Sequence, residues 1–288
     1  MPRILIAGCG YIGQATADLF HSAGWDVEGW IASGKSATAL SAKPYQISQI
    51  DISKHHQVAN HPGRFDAVIH SASTRGGGVD DYQQIYLNGA RNLLDRFAGI
   101  RVLFTSSTSV YAQRDGSWVT EESETRPVRE TGRILLETEN LVLGRSGIVI
   151  RLAGIYGPGR SALLSKFLAG IATIDPENDR FVNQVHRDDV ASAIFRLLTQ
   201  QAQEVFNVVD DLPMLQSDCY RWLAQRLNRP LPSTAKSTTQ RKRGDSNKRV
   251  SNARLRRLDW VPKHPMFAEG MEKSVFQSFP EVVSNVSH

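Results

Sequence analysis

The sequence has few cysteines and no long apolar run. Two cysteines in 288 residues exclude a disulfide framework as the basis of the fold. No apolar run reaches the roughly 20 residues that a membrane-spanning helix needs, and the apolar start of the chain is too short for a secretory signal. We therefore expect a globular protein of the reducing cytoplasm, with no membrane partner and a core large enough to need no cross-links.

Acidic residues are scarce in one part of the chain. The whole chain has a formal net charge of +5, whereas residues 221–263 contain 13 Lys and Arg against 2 Asp and Glu. The densest run is RKRGDSNKR at 241–249. No aromatic residue interleaves this run, so we expect no nucleic-acid partner. Two interpretations stay open, a solvated loop and a contact for a small anionic ligand.

Strand-like apolar runs alternate with segments of helical length. The predicted strands are RILIAG, VEGWIAS, FDAVIHSAS, RVLFTSS, GIVIRLAG and EVFNVVD. The predicted helices cover 81–98, 130–143 and 188–200. This alternation predicts an α/β fold with a doubly wound parallel sheet. We predict a dinucleotide-binding domain at 1–157, to which 181–210 returns, and a smaller C-terminal substrate lobe at 158–180 and 211–288.

A glycine motif follows the first predicted strand and opens the next helix. Gly8, Gly10 and Gly13 form G-x-G-x-x-G, with Tyr11 and Ile12 inside the motif. In this context the first glycine permits a tight turn, the second lets the backbone approach a pyrophosphate, and the third lets helix and strand pack closely. The helix N-terminus offers amide donors to the anion. The motif therefore predicts a Rossmann-type site for NAD or NADP.

At the predicted adenosine end of this site, an acidic side chain after the second strand would bind the ribose 2′-hydroxyl and select NAD. This sequence has no acidic residue there. Glu28 lies mid-strand, about three residues early for the usual spacing. Ser33 and Lys35 follow the second strand, and either they hold the 2′-phosphate of NADP or they belong to a polar loop. We favour NADP. Asp51 and Ile52, after the third strand position, are predicted to clamp the adenine.

Small residues end the fourth predicted strand. Ser71, Ala72 and Ser73 occupy this position. Ligands of open α/β sheets bind at the carboxyl ends of the strands, where small side chains leave room. We therefore predict that the cofactor lies across these three residues.

Several motifs occur in the order typical of one known family. They are AGCGYIG, VIHSAS, SSTSVYA, RLAGIYGPGR, VHRDDVASAI and LDWVP. Together they resemble the extended short-chain dehydrogenases/reductases, specifically the NAD-dependent epimerase/dehydratase family, which acts mostly on nucleotide sugars. The resemblance implies a small anionic substrate such as a nucleotide sugar. It also implies a homodimer that pairs through the helices beginning near 81 and 130.

The catalytic pair of that family is missing. Its members carry Tyr-x-x-x-Lys on one helix, where the lysine lowers the tyrosine pKa and the tyrosine moves a proton. With Pro127 setting the register, the tyrosine position is Thr131 and the lysine position is Leu135. Arg133 lies two residues further along, roughly 200° around the helix from Thr131, so it faces elsewhere. The pattern resembles the atypical branch of the superfamily, in which fold and cofactor loop are kept.

Other residues are candidates for the remaining roles. Ser107 matches the family's catalytic serine, and Tyr111 either packs or acts as a surrogate acid. His186 either titrates beside the substrate or caps a helix. Arg160 and Arg249 are candidate contacts for the anionic substrate, and no metal site is predicted.

Two hypotheses about function follow from this pattern. The first is an NAD(P)-binding protein whose redox activity is altered or lost. The second is an active epimerase, dehydratase or reductase on a nucleotide sugar, which uses Ser107 with a surrogate acid or base. The sequence leaves open whether the protein is an enzyme.

Overall fold

The structure, a computed structural model, describes residues 1–74, 76–200, 202, 204–235, 246–279 and 282. Its contacts divide the chain into two compact units. Unit 1 comprises 1–110, 125–151 and 190–206, and unit 2 comprises 111–124, 152–189 and 207–288. These units differ from the limits predicted from the sequence at 111–124, 152–157, 181–189 and 207–210, which lie in unit 2. Within unit 2, the short strand at 118–119 pairs with 249–250, and 184–186 pairs with 154–156.

The strands, in chain order, are β1 Arg3–Ala7, β2 Asp26–Ile31, β3 Gln46–Gln49, β4 Ala67–His70, β5 Arg101–Ser107, β6 Trp118–Val119, β7 Ile148–Leu152, β8 Gly154–Tyr156, β9 Thr173–Ile174, β10 Phe181–Val182, β11 Gln184–His186, β12 Val205–Val208, β13 Met214–Leu215, β14 Ser233–Thr234 and β15 Arg249–Val250. Each strand predicted from the sequence is present. The two-residue strands all lie in unit 2 and form small two-stranded pairs.

The α-helices are α1 Tyr11–Ser22, α2 Gly34–Ala39, α3 His55–Ala59, α4 Val79–Tyr82, α5 Gly89–Arg96, α6 Glu130–Leu143, α7 Ala162–Leu168, α8 Arg187–Thr199, α9 Gln216–Arg226, α10 Ala253–Arg256 and α11 Phe267–Gly270. Two π-helical segments, Gln83–Asn88 and Met271–Val275, continue α4 into α5 and extend α11. Two 3₁₀ turns follow β5 and the second π segment, at Thr108–Val110 and Phe276–Ser278. In the described part of the chain, no helix is both long and apolar enough to cross a membrane.

The central sheet has seven strands in the order β12-β7-β5-β4-β1-β2-β3. The strand order reverses between β1 and β4, and both β1 pairings are parallel. This doubly wound α/β arrangement confirms the predicted Rossmann fold. In such sheets the crevice at the reversal point, at the carboxyl ends of the strands, is the usual ligand site.

The core of unit 1 explains why the apolar runs become central strands. Ile4, Leu5 and Ile6 of β1 are fully buried, as strands covered by helices on both faces must be. Helix α1 buries Gly13, Thr16, Ala17 and Phe20, a spacing that places them on one face. Burial of that face, rather than local propensity, holds the helix against the sheet.

Unit 2 has its own apolar core. Tyr156, Leu164, Tyr220, Leu223 and Met271 are at most 1% exposed and belong to one cluster. The cluster joins α7 to α9 and to the helical segment after Phe267. Unit 2 is therefore a separately packed lobe.

Candidate active site

The glycine loop lies at the reversal point of the sheet. Gly8 has a φ of +103°, and its amide donates to Trp30 O over 3.0 Å. Ser71 Oγ donates to Gly8 O over 3.0 Å. A Cβ on Gly8 would lie 2.1 Å from Ala72 N, so only glycine allows this close approach of the β1 and β4 ends. The structure thus brings together the predicted Gly8, Ser71 and Ala72.

The start of α1 is arranged to receive an anion. The first hydrogen bond of the helix runs from Gln14 N to Gly10 O over 2.8 Å, so the amides of Ile12 and Gly13 precede the helical ladder. A Cβ on Gly13 would lie 2.3 Å from Gly8 O, which shows how closely helix and loop pack. A Cβ on Gly10 would meet nothing nearer than Gly8 O at 4.0 Å. The open space beside Gly10 fits the pyrophosphate of a dinucleotide.

Glu28 is engaged in a buried network of β2. Its carboxylate accepts hydrogen bonds from Trp30 Nε1 and Ser48 Oγ, both at 2.9 Å. Arg3 and His61 lie 3.1 and 2.9 Å from it. Since these four groups surround the carboxylate, Glu28 holds β1, β2 and β3 together.

The residues after β2 remain at the surface. Ser33 and Lys35 are exposed, and Ser33 Oγ caps α2 by accepting from Ser36 N at 3.4 Å. No carboxylate stands at the end of β2, where the chain reads Ile31, Ala32, Ser33.

Asp51 and Ile52 form a compact turn after β3. Asp51 Oδ1 accepts from Ser53 N at 2.9 Å and from Ser53 Oγ at 2.7 Å. Asn92 Nδ2 donates to Ile52 O over 2.8 Å, which ties the turn to α5. A Cβ on Gly89 would lie 2.8 Å from Ile52, so that glycine gives the isoleucine its space.

The helix predicted to hold the positions of the catalytic pair begins next to Pro127. A Cβ on Gly132 would lie 2.5 Å from Pro127 Cβ, so Pro127 packs directly against the helix start. Thr131 is half-buried and Leu135 is only 3% exposed. An alcohol and an alkyl chain therefore occupy the two positions, and neither titrates near neutral pH.

The other polar groups near that helix are engaged elsewhere. Arg133 forms a surface ion pair with Glu130 at 2.8 Å. Ser107 Oγ accepts from Ser109 N at 3.2 Å, at the start of the turn after β5. Ser73, three residues after the end of β4, has no such engagement described and is exposed.

A buried charged network on α6 was missed at the sequence level. Glu139 accepts from Ser106 Oγ at 2.5 Å and from Arg151 Nη2 at 2.7 Å. All three residues are at most 6% exposed. The available signal was an arginine inside the apolar run GIVIRLAG, because a charge in a buried strand needs a partner. The network ties α6 to β5 and β7.

Tyr111 belongs to unit 2 and is fully buried. Its hydroxyl donates to Asn207 Oδ1 over 2.9 Å, and its carbonyl accepts from Lys248 Nζ at 3.0 Å. Lys248 is itself buried, and this burial lowers the pKa of its ammonium to about 8. These contacts make Tyr111 an anchor between distant segments of unit 2.

His186 is also fully buried in unit 2. Its Nδ1 accepts from Asp188 N at 3.2 Å, and its Nε2 lies 2.9 Å from Ser274 Oγ. The ring lies against that of His264, tilted by 45° and with 3.9 Å between centroids. Desolvation, and next the neighbouring His264, lower the pKa of His186 to about 4, so the ring is neutral at pH 7.

The two candidate arginines differ in their surroundings. Arg160 is exposed and closes a tight turn, in which its amide and carbonyl pair with those of Gly157 at 2.9 Å each. Arg249 Nε donates to Gly116 O over 2.8 Å, and its guanidinium lies 4.9 Å from the ring centroid of Phe181 and 5.2 Å from that of Trp118. Residues 241–245 of the basic run lie outside the described residues.

The chain resembles known proteins along most of its length. The sequence profile of the NAD dependent epimerase/dehydratase family matches residues 4–208. Protein YeeZ of Escherichia coli (strain K12) is 31% identical over 225 residues, which cover 72% of this chain and 77% of that protein.

Two solved structures share the fold. One, from Methylobacillus flagellatus and named as an NAD-dependent epimerase/dehydratase, is 27% identical, covers 100% and 99% of the two chains, and has a TM-score of 0.79. The UDP-glucose 4-epimerase of Thermotoga maritima, solved with UDP-glucose, is 18% identical over 98% and 99% of the two chains with a TM-score of 0.81, a likeness of fold alone. On the glycine loop, the sheet order and the profile match, this chain belongs to the NAD dependent epimerase/dehydratase family.

Proposed function

We propose that this protein binds NAD(P) through unit 1 and has altered or lost the proton-transfer half of its family's reaction. The observation that carries the proposal is the α6 pair, Thr131 and the buried Leu135, in a register held by Pro127. A dinucleotide supplies hydride transfer when bound. Gly8, Gly10 and the first turn of α1 hold its pyrophosphate.

The side chains of α6 support retained cofactor binding with altered or lost proton transfer. A tyrosine in this family titrates usefully only because a lysine one turn away lowers its pKa. Thr131 has no such partner, because Leu135 offers only an alkyl chain there. Ser107 can donate a hydrogen bond to a substrate oxygen, but a serine hydroxyl is a poor proton carrier at pH 7 without an adjacent base.

We propose NADP as the preferred form. The only acid of β2 near the expected spacing, Glu28, is held in a buried network, so no carboxylate is offered to a ribose 2′-hydroxyl. The exposed Ser33 and Lys35 suit a 2′-phosphate. Asp51 and Ile52 are assigned to the adenine, and the cofactor is expected to lie across Ser71, Ala72 and Ser73.

Binding and turnover are tested on the same purified protein. NADPH and NADH are titrated by fluorescence, and a panel of nucleotide sugars is then screened for absorbance change at 340 nm and for epimerised or dehydrated products. Binding of NADPH tighter than NADH without turnover supports the proposal. Lys35→Gln should weaken NADPH and leave NADH unchanged, which separates phosphate recognition from general binding. Absence of binding by either nucleotide would refute it.

The second hypothesis, an active enzyme with a surrogate acid, is favoured by Ser107, which retains the family's catalytic serine. The surrogates are weak, because the hydroxyl of Tyr111 is engaged by Asn207 and His186 is neutral and buried. Turnover that is abolished by Ser107→Ala and unaffected by Thr131→Val would establish this hypothesis. The double substitution Thr131→Tyr and Leu135→Lys restores the family's catalytic pair and tests whether its absence limits turnover.

We further propose a small anionic substrate such as a nucleotide sugar, in line with the UDP-glucose of the Thermotoga maritima structure. Arg160, His186 and Arg249 are the candidate contacts, of which Arg160 is the exposed one. His186 is fully buried with both ring nitrogens occupied, and Arg249 lies over two aromatic rings. We also propose a homodimer in a reducing cytoplasm, where the unpaired, buried Cys9 and Cys219 suit the redox state. A monomer by sedimentation at micromolar concentration would refute the dimer.

A further inference from the structure

Unit 2 contains a cleft of about 340 Å³ that none of the preceding roles uses. We call it the His264 cleft. Its lining comes from the turn after β8, the start of α8, the segment after Pro262 and the helical segment 271–278. The lining residues are Pro158, Asp188, Lys263, His264, Lys273, Ser274, Gln277 and Ser278.

The hydrogen bonds of His186 determine what Ser274 offers to this cleft. A backbone amide can only donate, so the bond from Asp188 N leaves His186 Nδ1 as an acceptor. The neutral ring therefore carries its proton on Nε2 and donates it to Ser274 Oγ at 2.9 Å. The hydroxyl proton of Ser274 is then directed to a third atom, and Ser274 lines the cleft. The cleft thus presents a donor.

The same tautomer excludes a hydrolytic role for these residues. Asp188, His186 and Ser274 have the residue types of a catalytic triad. In a triad, however, the histidine must accept the serine proton on Nε2 and donate from Nδ1 to the carboxylate. Here Nε2 already holds a proton, and Asp188 Oδ2 is 3.9 Å from Nδ1. The arrangement donates hydrogen bonds rather than activating a nucleophile.

His264 supplies a second polar atom. The residue is 3% exposed, and no described residue offers a hydrogen-bond partner to its Nδ1. The backbone of His264 is fixed by the carboxylate of Asp189, which accepts from Lys263 N at 2.6 Å and from His264 N at 3.0 Å. A buried ring nitrogen without a partner is destabilising, so a ligand that forms a hydrogen bond with it removes that penalty.

The charges at the cleft favour an anion over a metal ion. Ligand atoms of His186, Asp188 and His264 lie within 4.8 Å of one another, a spacing that would suit a divalent cation. His186 Nδ1, however, is already occupied by an amide proton. Of the charged residues that line the cleft, Asp188 pairs with Arg187 at 2.9 Å and Lys273 with Glu269 at 2.6 Å, whereas Lys263 has no described carboxylate within ion-pair distance. A cation there would meet the ammonium group of Lys263 and a donor hydroxyl.

We propose that the His264 cleft binds a small oxyanion, a phosphate, sulfate or carboxylate group, through the Ser274 hydroxyl and the His264 ring, with Lys263 supplying positive charge. The group belongs either to a free ion or to the anionic end of a larger metabolite. The proposal is independent of NAD(P) binding, because every residue in it belongs to unit 2 and none to the glycine loop.

The test is calorimetric titration of the full-length protein with inorganic phosphate at low ionic strength, with sulfate and citrate as alternative oxyanions. We expect saturable binding at one site per chain. Ser274→Ala should weaken it tenfold or more, since a hydrogen bond to a charged group is lost. Lys263→Gln should weaken it about threefold to tenfold and flatten its salt dependence. Lys166→Gln, an exposed lysine of α7 outside the cleft, is the matched control and should leave affinity unchanged.

A second measurement locates the ion. The ring nitrogens of His264 should shift in ¹⁵N NMR spectra on addition of phosphate, and the shift should disappear in Ser274→Ala, whose folding is checked by circular dichroism. Because Lys263 is exposed, its variant keeps the test valid if the serine variant does not fold.

Three results would overturn the proposal. They are absence of phosphate, sulfate and citrate binding by the folded protein, equal affinity in the cleft variants and the control, and binding of Zn²⁺ that perturbs His264 where phosphate does not. Titration of NADPH on the same samples shows whether unit 1 binds its cofactor, so failure of either proposal is seen separately.

Discussion

Replacement of Gly8 by alanine should abolish cofactor binding and destabilise unit 1. The added Cβ would lie 2.1 Å from Ala72 N, 2.4 Å from Ala72 Cα and 2.6 Å from Ser71 C. All three atoms are backbone, so no side chain can rotate away. Relief requires the end of β4 to move from the end of β1 by about an ångström, at the point where the pyrophosphate is expected.

Two costs add at this position. The φ of +103° is one that side-chain-bearing residues rarely adopt, which costs about 1–3 kcal/mol. Overpacking against backbone typically costs another 1–3 kcal/mol. We therefore expect the free energy of unfolding of unit 1 to fall by roughly 2–6 kcal/mol.

Gly24 offers a matched control within the same unit. It has a φ of +83°, and a Cβ there would meet nothing within 4 Å, so Gly24→Ala incurs only the backbone cost. Urea unfolding gives both stabilities, and NADPH fluorescence gives both affinities. If Gly8→Ala is no less stable than Gly24→Ala, or binds NADPH as well, then close approach of β1 and β4 is not what the glycine provides.

Three other predictions test the interior. Glu139→Gln should cost roughly 3–5 kcal/mol in chemical denaturation, because Arg151 stays buried without its counter-charge; a loss below 1 kcal/mol would contradict this. Burial lowers the pKa of His70 and that of His186 to about 4 from an ordinary 6.5, so the unfolded chain takes up these protons first and stability falls, by up to about 3 kcal/mol for each ring, as pH drops from 6.5 to 4. Urea midpoints that do not change over that window would disprove it. Tyr111→Phe should cost about 1–2 kcal/mol through the lost bond to Asn207, with NADPH affinity unchanged, whereas lost turnover at unchanged stability would indicate a chemical role.

Local patterns were sufficient for the sheet and for the glycine loop. The apolar runs became central strands because both faces of a parallel sheet are covered, so most positions along them are apolar. The loop was recognisable because steric contacts with backbone atoms only a few residues away require glycine at its positions. Gly8 needs a positive φ and Gly13 packs on Gly8, and both requirements show directly in residue type.

Roles that depend on distant partners were not accessible in this way. Tyr111 and His186 were candidates for chemistry from residue type alone. Their partners, Asn207 and Ser274, lie 96 and 88 residues away along the chain. The division into units was equally hidden, because it depends on which short strands pair.

The order of residues was therefore enough to establish the α/β class, the glycine loop after β1 and the absence of Tyr-x-x-x-Lys, since each rests on neighbours in the chain. Only the tertiary structure determines that Glu28 and Glu139 belong to buried networks. It also gives His186 Nδ1 its amide donor, so that the proton of the neutral ring lies on Nε2, and leaves Nδ1 of His264 without a described partner. A side chain's protonation and hydrogen bonds depend on the atoms within a few ångströms of it, and most of those atoms come from remote parts of the chain.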